Sequence, residues 1–194
     1  MKIAVAATAG VMVISPALAK ANDGSGWLLG LGIQQTQAHV ITTSPLGDYD
    51  IKDNSARPYI DGRYRFVLKE PFVIQLSMAI SPGTSPAGGF LASGNYSLKD
   101  TISMSVAPGI LLNERTLLIG VLSIDRLTLQ FSQRNLTRSS SIDGIGVGVA
   151  IQYTIAPNLI AEMLYKEVRF DSARIPFDSD LKTRNVAFAL HRRF

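Results

Sequence analysis

The chain contains no cysteine, which removes both a disulfide framework and a lipoprotein anchor and leaves packing and backbone pairing to hold it together. It has only two histidines, His39 and His191, and one tryptophan, Trp27. Beyond the first twenty residues no run approaches the roughly 18 continuous apolar residues of a membrane-spanning helix. Charge is sparse: 18% of the residues are charged, the formal net charge is +4, and no run concentrates it, which argues against a nucleic-acid partner. Against these absences stand 46% hydrophobic residues, a positive mean hydropathy and 16 glycines. That apolar content is high for a small soluble domain and is spread without long runs. Alternate positions of many strands accommodate it, as in a membrane barrel.

The first 19 residues read as a signal peptide and are set aside from the fold. Lys2 supplies the positive end, Ile3 to Ile14 a short apolar run ended by Ser15 and Pro16, and Ala17-Leu18-Ala19 a small-residue cleavage site. The mature protein is expected to begin at Lys20, with a single barrel domain over residues 20–194.

From Trp27 onward eight alternating segments follow: Trp27 to His39, Arg57 to Leu68, Phe72 to Ser81, Leu98 to Leu112, Leu117 to Phe131, Ile142 to Ile155, Leu159 to Phe170 and Thr183 to Phe194. The connections alternate in kind. Lys69-Glu70-Pro71, Asn113 to Thr116 and Ala156-Pro157-Asn158 are tight, whereas Val40 to Ala56, Pro82 to Ser97, Ser132 to Ser141 and Asp171 to Lys182 are long and rich in Ser, Pro, Gly and Asp. Short turns at one end and long loops at the other predict an all-β, transmembrane, eight-stranded antiparallel up-and-down β-barrel with both termini in the periplasm.

Parity sorts the faces. In the second segment Arg57, Asp61, Arg63 and Arg65 oppose Ile60, Tyr64, Phe66 and Leu68, and in the third Phe72, Ile74, Leu76, Met78 and Ile80 oppose Val73, Gln75, Ser77, Ala79 and Ser81. The apolar face is uniformly large, as a lipid-facing belt requires, and the opposing face is small or polar, as a narrow lumen requires. Tyr59, Tyr64, Tyr153, Tyr165, Trp27 and Phe194 lie towards strand ends and are expected in aromatic girdles. Two positions strain the pattern. Asp125 beside Arg126 puts a charge on the lipid face unless it snorkels, a bulge intervenes or the strand has left the membrane. Pro108 removes a ladder donor and is expected near the periplasmic rim.

The last ten residues, N-V-A-F-A-L-H-R-R-F, close an alternating strand with an aromatic terminus, the pattern of bacterial outer-membrane barrels; Val186, Phe188, Leu190 and Phe194 form the expected outer-membrane assembly signal. With the glycine-alternating strand G-I-G-V-G-V-A-I-Q-Y from Gly144, the turn A-P-N-L at Ala156 to Leu159, the strand A-E-M-L-Y-K at Ala161 to Lys166 and D-S-D-L ahead of the closing strand, about a quarter of the chain resembles the barrel domain of small OmpA-like and opacity-type surface proteins. The resemblance implies outer-membrane localisation, outer-membrane lipid and lipopolysaccharide as surroundings, the barrel-assembly machinery as a partner during biogenesis, and a monomer. The family hosts adhesins and structural anchors, so it carries little about activity. Its usual Tyr-Arg-Phe ending is replaced by Arg192-Arg193-Phe194, and no counterpart of the peptidoglycan-binding domain of the larger members follows, so the chain is expected to stop at its barrel.

Candidate chemistry concentrates on the inward face: Asp61, Arg63 and Arg65, then Glu162 and Lys166, then His191 and Arg193. Inside a barrel such groups must pair or meet water. They form either a salt-bridged plug, with Arg63 and Glu162 as partners, or a narrow pathway for ions or small solutes. A lipid-modifying enzyme is a third reading. His39 and His191 fall at opposite ends of adjacent strands, roughly 30 Å apart at ~3.3 Å per residue, and no G-x-S-x-G elbow accompanies either. The expectation is therefore no catalytic residues and no cofactor; Gly144, Gly146 and Gly148 read as close packing in place of a dinucleotide loop. Asp48, Asp50 and Asp53 read as a solvated acidic loop with a divalent-ion site as the alternative. Phe90, Leu91 and Ile175-Pro176-Phe177 are apolar loop-tip candidates for an unknown surface ligand or for folding over the barrel mouth.

Overall fold

The computed structural model describes residues 25–44, 47–90, 94–134, 136–174 and 178–194. The expected signal peptide, Leu91 and the Ile175-Pro176-Phe177 tip lie outside them, as does the Phe90 side chain. Nine strands follow in order: β1 Gly26–Ser44, β2 Gly47–Lys69, β3 Phe72–Phe90, β4 Gly94–Asn113, β5 Thr116–Gln133, β6 Leu136–Ala156, β7 Leu159–Phe170, the two-residue β8 Ala173–Arg174, and β9 Asp178–Arg193. Each pairs antiparallel with its neighbour, β8 being an appendage on β9, and β1 pairs with β9 from Leu28↔Arg193 to Thr43↔Asp178. That pairing closes the wall into an eight-stranded up-and-down barrel.

The outer surface carries a continuous apolar belt. Leu31, Ile33, Met78, Met104, Leu122, Ile124, Ile145, Val149, Phe188 and Leu190 all point outward and are exposed. On β6 the belt runs from Ile145 to Ile155, about 33 Å of strand at ~3.3 Å per residue, or ~25 Å in height for a wall tilted ~40°. Trp27, Tyr64 and Phe66 form a ring-to-ring file at the turn end, with centroids 5.1 and 4.6 Å apart. Tyr59, expected among the girdle, instead faces the lumen and is 6% exposed. It shares the parity of Asp61 and Arg63, and parity overrides closeness to a strand end. Pro108 lies opposite Ile74, two residues into β3 and towards the turn end, and the β4–β5 ladder skips residues 107 and 108 there without a change of register.

The four long connections are a correction. Three of them are not loops for most of their length, because the strands run on: β1 meets β2 to Ser44↔Gly47, β3 meets β4 to Phe90↔Gly94, and β5 meets β6 to Gln133↔Leu136; in the fourth β7 stops at Phe170 and β9 alone runs on, from Asp178. What changes is the phase of the alternation. On β5, Leu118, Leu122 and Ile124 point out, but past Asp125 the apolar residues Leu127, Leu129 and Phe131 point in and are at most 2% exposed. β1 switches likewise, from Leu29, Leu31 and Ile33 outside to Ala38 and Val40 inside, and β9 from Leu181 inside to Phe188 and Leu190 outside. Ala38, Val40, Ile51, Tyr96, Leu98, Leu127, Leu129, Phe131, Val168, Phe170 and Leu181 make one buried cluster above the belt. Polar outside and apolar inside is the pattern of a soluble domain. The hairpins therefore form an ordered lobe with a core of its own.

The ring is not hydrogen-bonded all the way up. β2 and β3 pair only from Lys69↔Phe72 to Ile60↔Ile80, and β6 and β7 only as far as Gly144↔Phe170. Pro58 and Pro82 stand just beyond the point where the β2–β3 ladder stops, and Pro86 further along β3 past it, where a residue without an N–H costs least. Above the belt the wall thus divides into one sheet of β9, β1 and β2 and another of β3 to β6, packed across the apolar cluster.

Candidate functional site

The lumen holds a layered network of side chains. At its centre Arg63 on β2 donates from Nε to Asp61 Oδ2 at 2.7 Å and forks both terminal nitrogens onto Glu162 of β7, with Nη2 to Oε1 at 3.0 Å. Its Nη1 also reaches Gln75 Oε1 of β3 at 3.2 Å. His191 of β9 places Nε2 2.8 Å from Asp61 Oδ1. Gln152 of β6 donates to Glu162 and accepts from Arg65 Nη2, and is tied to Gln75 at 3.1 Å. All these side chains are 7% exposed or less. Two carboxylates and two guanidiniums balance in one layer, which is what burial of charge requires.

β1 contributes by being absent: a Cβ on Gly30 would collide with Asp61 Oδ1 and the His191 ring. Only glycine leaves the space in which that pair sits. One layer up, Lys166 donates from Nζ to Asp125 Oδ1 at 2.6 Å and to Ser103 Oγ at 3.0 Å, and Ser123 Oγ donates to Asp125 Oδ2 at 2.6 Å. Gly146 faces this group, and a Cβ there would strike Ser123 Oγ. Above it Gln34, Thr36, Asn185 and Thr183 form a neutral chain of hydrogen bonds at 2.8 to 3.1 Å. Arg57 donates Nη2 to Thr101 Oγ1 at 3.0 Å, while its Nε and Nη1 find no acceptor among the described residues, beside a cavity of about 20 Å3, the size of about one water molecule.

Of the seven lumen residues expected from the sequence, Asp61, Arg63, Arg65, Glu162 and His191 meet in the central network and Lys166 joins the layer above. Arg193 does not: it sits at the turn end, lining with Arg65 and Arg115 a vestibule of about 390 Å3 whose apolar wall is Val67, Val73, Leu111 and Leu117. Gln75, Gln152, Ser103 and Ser123 belong to the networks without standing among the charged candidates, although Gln75 lies on the inward face by parity, and Asp125, one half of the pair that strains the pattern, joins them.

The Asp125-Arg126 dilemma resolves by position. Asp125 turns inward, and Arg126 turns outward just above the belt, where it grips Asp143 through Nε at 2.6 Å and Nη2 at 2.8 Å. This exposed pair holds the Asp143 carboxyl below its ordinary value, mainly through the hydrogen bond from Arg126. Nearby, Tyr165 donates to Glu167 at 2.6 Å and Arg184 bridges Glu167 at 3.0 Å. These groups mark the polar rim at which the alternation changes phase.

The two histidines do not cooperate. The register puts His191 opposite Gly30 and His39 opposite Lys182, nine residues apart on the β1–β9 ladder, and His39 lies 2.7 Å from Asp50 on the first hairpin. Asp61–His191 has two members of a nucleophile-activating triad, but His191 is fully buried, its Nδ1 has no protein acceptor, and no serine bonds it among the described residues. Asp48, Asp50 and Asp53 do not converge, and the described residues contain no group of three or more acidic or histidine side chains placed to hold a metal. Val186, Phe188 and Leu190 share the outward side of β9 and the exposed Phe194 follows it, with the Arg192 guanidinium 5.4 Å from the Phe194 ring centroid.

No family model matches the sequence, and no curated protein is significantly similar to it. Solved structures do match. The attachment invasion locus protein Ail of Yersinia pestis superposes with a TM-score of 0.56 at 18% identity, over 87% of this chain and 99% of that one. The fold is that of the eight-stranded outer-membrane barrels. Neisserial surface protein A gives 0.53 at 13% identity, over 84% and 97%, and a major outer membrane protein from Thermus thermophilus gives 0.53 at 11%, over 84% and 99%. At these identities the likeness of this barrel to its neighbours is one of fold alone.

Proposed function

We propose that this is a non-enzymatic outer-membrane protein with an envelope-structural or surface-interaction role, adhesin-like, exercised through the lobe beyond the belt. The observation that carries the reading is the division of labour in one wall: the lumen is filled by paired charge and closed above by the apolar cluster, while the hairpins are built into an ordered projection. Such a projection can present a surface; a filled lumen can pass little. Lipid and lipopolysaccharide surround the belt, the turn end faces the periplasm, the monomer is the working unit, and the outward residues of β9 address the assembly machinery. Ail, whose name refers to attachment and invasion, offers a parallel in the same fold.

The test deletes residues 82–97 and, separately, 171–182, and measures adherence of expressing bacteria to host cells and immobilised matrix. Adherence falls while the barrel keeps its heat-dependent shift in electrophoretic mobility. Undiminished adherence in both deletions sinks the reading. Planar-bilayer recordings are expected to show near-zero current for the intact protein, and a steady conductance would move the assignment to a pore.

A further inference from the structure

We propose that the vestibule at the turn end is a binding site for the carboxylate of a small molecule or chain end that has an apolar body. The cavity of about 390 Å3 is large enough for such a ligand and lies on the opposite side of the central network from the lobe, so the site is distinct from the surface role proposed above.

Three cations converge there. Arg65 forms the floor and is 7% exposed; it gives Nη2 to Gln152 and makes no salt bridge with a carboxylate among the described residues. A guanidinium that lines a cavity draws an anion towards it. Arg193 and Arg115 line the same space nearer the mouth, and Arg193 adds like charge to the field at Arg65. Arg65 is accounted for by the charge balance of the central layer, but Arg193 and Arg115 make no salt bridge among the described residues and still line the same cavity. Planar guanidinium forks match carboxylates in bidentate geometry.

The rest of the lining narrows the class. Glu70 and Glu114 stand at the mouth, so a ligand charged negatively all round is repelled there, whereas one that leads with its carboxylate and trails a neutral or amino end is accommodated. The apolar wall between floor and mouth accepts an aliphatic body. A short peptide ending in a free carboxylate and a small aliphatic acid share this chemistry.

The experiment uses the whole protein, refolded in detergent micelles, and titrates it by calorimetry with butyrate and with the tripeptide Leu-Ala-Ala, each beside its neutral carboxamide. At least one acid is expected to bind saturably and at least tenfold more tightly than its amide, and the tighter of the two identifies whether a small molecule or a chain end is the source. Arg193→Gln and Arg115→Gln, both outside the central network, each weaken that acid fivefold or more while the heat-dependent mobility shift shows the barrel intact. If either variant fails to fold, the other supplies the comparison. Absence of saturable binding by both acids overturns the proposal. So does equal binding of acid and amide, or unchanged affinity in a folded variant.

Discussion

Below the Arg126–Asp143 rim the wall wears its large apolar side chains outside and keeps small and ionic ones within; above the rim the same strands do the reverse. β5 shows both states in eighteen residues, with Leu118, Leu122 and Ile124 turned to the exterior and Leu127, Leu129 and Phe131 turned to the interior. The backbone ladder hardly changes across the boundary. What changes is the solvent each half is built to meet, lipid below and water above, and the sign of the alternation records it. The two interiors also fail differently. Below, each polar group depends on a particular partner, so removing one strands another; above, apolar side chains depend on volume.

The largest effect should come from the lower interior. Arg63→Leu leaves Glu162 and Asp61 buried without their cation and is expected to cost about 3–5 kcal/mol in denaturant unfolding from micelles, with part of that recovered in Arg63→Leu/Glu162→Leu. An unchanged midpoint would mean the pairing is not what closes the lumen. Phe131→Ala, in the upper core, is expected to cost a similar ~3–5 kcal/mol, but locally. Limited proteolysis and amide exchange should then open residues 94–100 and 127–133 while belt amides stay protected. Loss of both together would show one cooperative unit in place of two.

The boundary itself can be tested with one substitution on each side. Val149→Arg, on the belt, is expected to destabilise by ~2–4 kcal/mol if near the bilayer midplane, whereas Thr128→Arg, above the rim on an outward position, should stay within ~0.5 kcal/mol. Equal costs would erase the distinction between the halves. The smallest effect concerns the rim. Because the folded Asp143 carboxyl titrates lower than in the unfolded chain, its pair with Arg126 contributes above the ordinary carboxylate range and is lost as pH falls through the folded value. In Arg126→Ala the Asp143 carboxyl should titrate higher by carbon-detected NMR, and an unmoved midpoint would remove the pair from the rim.

Much of the lower half was legible. The seventh segment, Leu159 to Phe170, matches its strand at both ends, and parity alone put both Arg63 and Glu162 on the inward face, because a two-residue repeat leaves no choice of face. Gln75 lies on that face too, but a neutral amide carries no charge signal. The upper half is less legible for a physical reason. Ser, Pro, Gly and Asp read as loop formers, yet an outward face in water also needs polar residues and an edge without a partner tolerates proline. The phase of Leu127, Leu129 and Phe131 after Asp125 carried the correct signal. Arg193 had inward parity as well, yet it stands at the last position of β9, where the wall has ended and the side chain meets the vestibule.

The seams between β2 and β3 and between β6 and β7 stop at the rim, but β1 stays hydrogen-bonded to β2 and to β9 from the turn end nearly to its tip. A tug on the first hairpin is therefore shared by two ladders loaded in shear, whose many rungs must slip together before the strand gives way. The unpaired seams have no such resistance, so the two halves of the lobe can spread under load without unthreading the ring that anchors them.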